Sequence, residues 1–285
     1  MGMQRIAVIG GGTMGAGIAE VSARAGCDVV VVEADEAGAE RFRARMEKSL
    51  QRAATSGRIS QEDADAAFAR VDVATSLQAV VHSELVIEAA PEIEELKLDL
   101  FRKLDEILPP DAILASNTSS IPLVKMASVT KRPDKVVGVH FFNPAPVLPL
   151  VEIVASLLTS DETLATVTDF AETQLGKTTI RSKDRAGFIV NALLIPYVLS
   201  AIRMMESGFA SAEDIDAGMV QGCAHPQGPL ALADLIGLDT TAAVAQSMYA
   251  EFKEPLYAPP PLLLRMVDAG LLGRKTGRGF FPYAK

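Results

Sequence analysis

The chain has 285 residues, 49% hydrophobic and 22% charged, which supplies a core for one large or two modest globular domains and argues against a disordered chain. A formal charge of −9 leaves no basic face to neutralise phosphates, so no nucleic-acid partner is expected. Cys27 and Cys223 are too few and too distant for a disulfide framework or a thiolate cage, and neither a bilayer-spanning stretch nor a leader segment is read. A cytoplasmic protein with no membrane partner is expected.

The opening "RIAVIG" reads as a short aliphatic strand, followed by a helix that closes at Gly26. "CDVVVVEAD" is a second strand, continuously apolar as a parallel strand covered on both faces should be. Together they make a βαβ unit. "AERFRARMEKSLQRAATSG" reads as a charged helix ending at Gly57, and "SQEDADAAFARVDVATS" as a further helix with Ser60 as N-cap. Strand-like runs resume at "ELVIEAA", "AILASN", "VVGVHFF" and "PLVEIVAS". After "KTTIRSKDRAGF" the alternation stops, and from Gly187 onward the chain reads as helical. The shift predicts a boundary near Asp184, with domains over 1–184 and 185–285.

Gly10, Gly12 and Gly15 of "GGGTMG" stand in G-x-G-x-x-G spacing between the first strand and its helix. Gly10 permits a tight turn, Gly12 lets backbone approach a diphosphate, and Gly15 lets helix and strand pack closely. The following helix points its first amides at that anion. Glu33 ends the second strand, where it can accept hydrogen bonds from the adenosine ribose and would repel a 2′-phosphate. The expected fold is therefore α/β, an N-terminal Rossmann-type doubly wound sheet with an all-α C-terminal domain, and the expected cofactor is NAD in preference to NADP, with Arg41 and Arg43 further along as residues that could serve a phosphate.

His140 closes one apolar run and Glu152 opens the next across a proline-rich loop. A neutral imidazole at the carboxyl end of a strand can take a proton from a hydroxyl, with a carboxylate fixing its tautomer. Spacing alone favours a buried histidine on a backbone carbonyl beside a solvated glutamate. His82 and His225 have no comparable setting.

With "IGGGTMGAGIAE", "ASNTSS", "VGVHFFNPAPVLPLVEIV", "GFIVNALL", "GPLALADLIGLD" and "GRKTGRGFF" in order, the chain resembles the short-chain 3-hydroxyacyl-CoA dehydrogenases, bacterial 3-hydroxybutyryl members above all. The resemblance spans the whole chain. It implies His140 as general base in oxidation, Glu152 as its orienting partner, Ser119 on the reacting oxygen and Asn191 beside the substrate. It also implies Thr13 and Met14 in the dinucleotide turn, Glu92 and Lys97 along the nicotinamide ribose, Asn143 near the nicotinamide and Lys275 at the far end of the cofactor.

A helical-hairpin insertion after the second strand, with Ser49 as substrate contact, follows from the same resemblance, while apolar helical faces such as "LLIPYVLSAIRMM" point to a homodimer interface or to intradomain core. Two departures stand out. Ser56 occupies the position of the family's CoA-contacting lysine, and Glu33 replaces its usual aspartate. The first admits an acyl-carrier-protein thioester as an alternative to an acyl-CoA. A 6-phosphogluconate-type dehydrogenase would need a lysine after the boundary, and none occurs between Asp184 and Phe252. A crystallin-like structural protein would have lost the polar site residues present here.

Overall fold

β1 (Arg5–Ile9) and β2 (Asp28–Val32) are built almost wholly of β-branched and aliphatic residues, and their interior positions are buried except the half-buried Val30. The structure, a computed structural model, describes residues 2–283. Parallel strands cannot be joined by a tight turn, so a crossover helix, α1 (Thr13–Arg24), links the pair. A second helix, α2 (Glu36–Thr55), starts on the Asp35 side chain, which accepts the Gly38 N–H. Then comes α3 (Gln61–Ala69), closed at its start by a reciprocal capping box between Ser60 and Asp63.

Here the structure corrects the sequence reading, which runs that helix through Ser76. The helix ends at Ala69, and Val71–Ala74 forms β3, paired in parallel with β2. Val71 and Val73 flank Asp72 with the two-residue period of a strand, and Arg70 separates the two elements.

The chain continues through β4 (Leu85–Glu88), α4 (Glu94–Ile107), β5 (Ile113–Ser116), α5 (Leu123–Ser128), β6 (Val136–Phe141), β7 (Leu150–Ala155), α6 (Asp161–Asp169) and β8 (Thr178–Lys183). One sheet results, ordered β3-β2-β1-β4-β5-β6-β7-β8. Strand order reverses between β1 and β4, where Ile9 pairs with Glu88 at the carboxyl ends. Open α/β sheets bind ligands at such a switch point. β8 carries a single aliphatic residue, Ile180, and lies at the sheet edge, so apolar periodicity does not announce it.

The β6–β7 pair alone is antiparallel among the described strands, and its register sets His140 directly opposite Glu152. Residues 142–149 join the two strands. Lys177 holds that loop, donating from Nζ to the carbonyls of Ala145 at 2.6 Å and Leu148 at 2.8 Å. Burial, with Arg24 adding like-charge repulsion, pulls the Lys177 ammonium below its ordinary pKa.

The chain divides into two compact units between Asp184 and Arg185. The second contains α7 (Val190–Glu206), α8 (Ala212–Cys223), α9 (Pro229–Ile236), α10 (Leu238–Phe252) and α11 (Pro261–Asp268). It has its own core, with Val198, Leu199, Ile202, Leu230, Met248 and Leu263 at its centre. Among the described residues no helix is long and apolar enough to cross a membrane.

Candidate active site

Each glycine of the first turn answers to a different steric demand. Gly10 has φ +92°, and a β-carbon there would lie 2.9 Å from the Ala89 carbonyl oxygen. A β-carbon on Gly15 would sit 1.8 Å from the Gly10 carbonyl oxygen, so only glycine lets α1 start this close to the turn. At Gly12 the same atom would meet nothing within 4 Å, which marks the open side of the cradle. No side chain caps α1, leaving its first amides to an anion, with Thr13 exposed and Met14 half-buried beside them.

Glu33 Oε1 accepts the Gly11 N–H at 2.9 Å, and Arg45 Nη1 donates to the Gly11 carbonyl at 2.6 Å. The peptide at the centre of the turn is thus gripped from both sides. Arg45 was not singled out from sequence, since nothing in a run of arginines on α2 distinguishes the one that reaches back. These features fit a dinucleotide diphosphate at the turn and its adenosine ribose near Glu33.

The imidazole lies further along the sheet on β6, with β4 and β5 between it and β1. His140 Nδ1 is 2.7 Å from Glu152 Oε2, and Nε2 is 3.0 Å from Ser119 Oγ. His140 is 5% exposed and Glu152 fully buried. A carboxylate only accepts when ionised, so Nδ1 carries the proton and Nε2 presents a lone pair toward Ser119. The Phe142 ring stands edge-on to the imidazole, centroids 4.7 Å apart. Asn117 Oδ1 accepts the Phe141 N–H at 2.8 Å, tying the end of β5 to the end of β6. This arrangement can take a proton at Nε2 and stabilise the resulting cation through Glu152.

Ser119 sits on a turn organised by two carboxylates and one lysine. Glu92 Oε1 accepts the backbone N–H of Ser119 at 3.1 Å and of Ser120 at 3.2 Å, with the hydroxyls of Thr118 at 2.5 Å and Ser120 at 2.8 Å. Burial opposes ionisation of Glu92, but the Lys97 ammonium and those hydroxyls outweigh it and hold the carboxyl below its ordinary value.

Lys97 is that lysine. It is 1% exposed, with Nζ bonded to Glu88 Oε1 at 2.7 Å, Glu88 Oε2 at 2.8 Å and Glu92 Oε2 at 3.1 Å. Its ammonium thus ties the end of β4 to Glu92 and the Ser119 turn. Glu92, with a side chain 38% exposed, is the member of the trio open to a ligand. Glu88 went unread, although Lys97 gives a signal for it: Lys97 shares the apolar face of α4 with Phe101 and Leu104, where a cation requires a buried partner.

A cavity of about 270 Å³ adjoins the glycine turn, lined by Thr13, Arg45, Ser49, Arg52, Asn143 and Pro146 among others. It brings together Thr13, Ser49 and Asn143 of the expected residues. Ser56 lines a neighbouring recess with Lys48 and Arg52, so cations stand within two turns of the missing lysine. Asn191 is half-buried in the first turn of α7, and Lys275 Nζ pairs with both Asp239 oxygens at 2.6 Å, both in the second unit.

The model of the 3-hydroxyacyl-CoA dehydrogenase NAD binding domain matches residues 5–185, and that of the C-terminal domain residues 187–283. Over 282 residues, 99% of each chain, the sequence is 54% identical to a 3-hydroxybutyryl-CoA dehydrogenase of Mycobacterium tuberculosis. It is 40% identical over 288 residues to the mitochondrial hydroxyacyl-coenzyme A dehydrogenase of Sus scrofa, covering 99% of this chain and 91% of that one.

Among solved structures, FadB2 of M. tuberculosis superposes with a TM-score of 0.98 at 54% identity, covering 100% of both chains. The (S)-3-hydroxybutyryl-CoA dehydrogenase PaaH1 of Ralstonia eutropha gives 0.92 at 44% identity, covering 99% of this chain and 100% of that one. Both halves match in order and the dinucleotide turn is sterically intact, so the chain belongs to the 3-hydroxyacyl-CoA dehydrogenase family and is an NAD-dependent oxidoreductase.

Proposed function

We propose that this enzyme interconverts (3S)-3-hydroxyacyl-CoA and 3-oxoacyl-CoA, with 3-hydroxybutyryl-CoA and acetoacetyl-CoA as its short-chain pair. The observation that carries the reading is the alignment of Ser119 Oγ, the His140 ring and Glu152 Oε2 at 3.0 Å and 2.7 Å. In the oxidative direction His140 Nε2 removes the proton of the C3 hydroxyl while Glu152 stabilises the imidazolium. Ser119 donates a hydrogen bond to the same oxygen as charge develops on it. The Gly10–Gly15 turn and Glu33 would hold NAD, which supplies the two-electron acceptor. Glu92, open at the edge of the Ser119 turn, is the group proposed along the nicotinamide ribose.

A CoA thioester is favoured over a carrier-protein thioester. Lys48 and Arg52 place cations beside Ser49 and Ser56, and the close relatives are named for CoA substrates. The intact dyad argues against a purely structural role. Asn191 is proposed as a further substrate contact. Leu193 and Phe209, 74% and 80% exposed on the second unit, support self-association as a homodimer.

Purified enzyme should oxidise NADH with acetoacetyl-CoA and react poorly with acetoacetyl-carrier protein. His140→Ala should keep NADH binding, read by fluorescence titration, while turnover falls about 10²–10⁴-fold. Loss of NADH binding in a folded variant, or turnover near wild type, would remove His140 from the mechanism.

A further inference from the structure

We propose that Glu88 is a positioning residue for the dehydrogenase reaction, setting the turn that presents Ser119 to His140 while touching neither substrate nor cofactor itself. The proposal rests on the reading in which Ser119 and His140 act on one oxygen. Glu88 is the last residue of β4, at the point where strand order reverses, and it is fully buried. Four hydrogen bonds converge on its carboxylate: two from Lys97 Nζ, one from Ser116 Oγ at 2.6 Å and one from the Ala90 N–H at 2.7 Å.

From there the contacts run to the reacting groups by two routes. Along the first, Ser116 Oγ, having donated to Glu88, accepts the Thr118 N–H at 3.2 Å. Along the second, Lys97 bridges to Glu92, whose other oxygen takes the amides of Ser119 and Ser120. The Ser119 turn is therefore held from beneath and from the side, and both holds end on Glu88. A third contact reaches the cofactor side: the Ala90 N–H fixes the chain just after β4, whose Ala89 carbonyl walls the Gly10 turn.

Stability does not explain this arrangement. A buried ion pair is commonly no more stable than well-packed apolar residues of similar volume, because desolvation offsets the attraction. What two charged groups with several bonds each do supply is a fixed geometry. Ser119 needs that, because its hydroxyl must meet Nε2 and the substrate oxygen, and small misplacements at such a site cost rate rather than binding.

The test uses the full-length enzyme with NADH and acetoacetyl-CoA. Two variants are compared: Glu88→Gln, nearly isosteric, and the double variant Glu88→Met/Lys97→Met, which removes both fully buried charges together and leaves only the part-exposed Glu92 carboxylate without its lysine. Both should melt cooperatively. In both, kcat should fall about 10- to 100-fold while the KM for acetoacetyl-CoA moves by less than about threefold. The primary isotope effect with 4-deuterated NADH should rise, because a misaligned Ser119–His140 contact slows the chemical step.

A residue that only stabilised the fold would lower the active fraction and leave the isotope effect unchanged, and that result overturns the proposal. So do wild-type kcat in either folded variant and failure of both variants to fold. Absence of wild-type turnover is a separate outcome, which removes the functional reading and this inference with it.

Discussion

Glu152→Gln isolates what the carboxylate does for the imidazole. The register of β6 and β7 sets the two residues opposite each other, so the variant keeps the backbone pair and changes one atom's charge. With its amide oxygen toward Nδ1, glutamine accepts the same hydrogen bond and keeps the same tautomer. What it lacks is the charge-assisted bond to the imidazolium formed as Nε2 takes its proton. A hydrogen bond to an ionised group contributes about 1.5–3 kcal/mol and a neutral one about 0.5–1.5 kcal/mol. The difference of about 1–2 kcal/mol arises only as the ring becomes cationic, so kcat should fall about 5- to 30-fold. That is less than for His140→Ala. Steady-state NADH oxidation gives kcat, and fluorescence titration gives the NADH Kd, which should be unchanged. A variant with wild-type kcat would refute the pairing. An equal loss in kcat and NADH affinity would trace the effect to site collapse.

Gly15→Ala adds an atom 1.8 Å from the Gly10 carbonyl oxygen, so the start of α1 must move by more than an ångström. Overpacking of this kind costs about 1–3 kcal/mol, of which about 1 kcal/mol returns as helix propensity. The NADH Kd should therefore rise about tenfold or more with only a small fall in Tm, and unaltered NADH binding would refute the assigned role of the turn. Glu92 supplies a test in pH. Its folded-state pKa lies below the ordinary 4.5, because Lys97 and the hydroxyls around it outweigh burial. Its contribution is complete above that value and lost as pH falls through the lowered one. The stability gap between wild type and Glu92→Gln, measured by denaturant unfolding, should be constant from neutral pH down to about 4.5 and narrow below it. A gap that widens on acidification would reverse the sign assigned to Lys97.

What could be read before the structure divides along the range of the interactions. The glycine turn and Glu33 belong to one contiguous βαβ unit, where spacing carries the geometry. His140 and Glu152 stood out as chemistry, but their facing positions come from an antiparallel ladder between strands joined by an eight-residue loop, 142–149. No local turn signal specifies that register. Val71–Ala74 merges with the helix before it in the sequence reading because four residues, three half-buried and Asp72 exposed, are too few to show a period against a strong N-terminal cap. Glu88 was hidden for another reason. A glutamate ending an aliphatic strand reads as the edge of solvent until the lysine nine residues on is known to lie inward.

The β6–β7 ladder has a consequence for how this scaffold changes over time. Main-chain pairing, not the loop that joins the strands, sets the distance between the imidazole and its carboxylate. That loop lends Asn143, Pro144, Ala145 and Pro146 to the cavity wall, and Lys177 anchors it from behind through two carbonyls, whatever side chains it bears. Its outer residues can therefore be exchanged or its tip reshaped without detuning proton transfer. The shape of the cavity wall and the spacing of the acid–base pair are separately adjustable, and a lineage or an engineer can vary the first while inheriting the second.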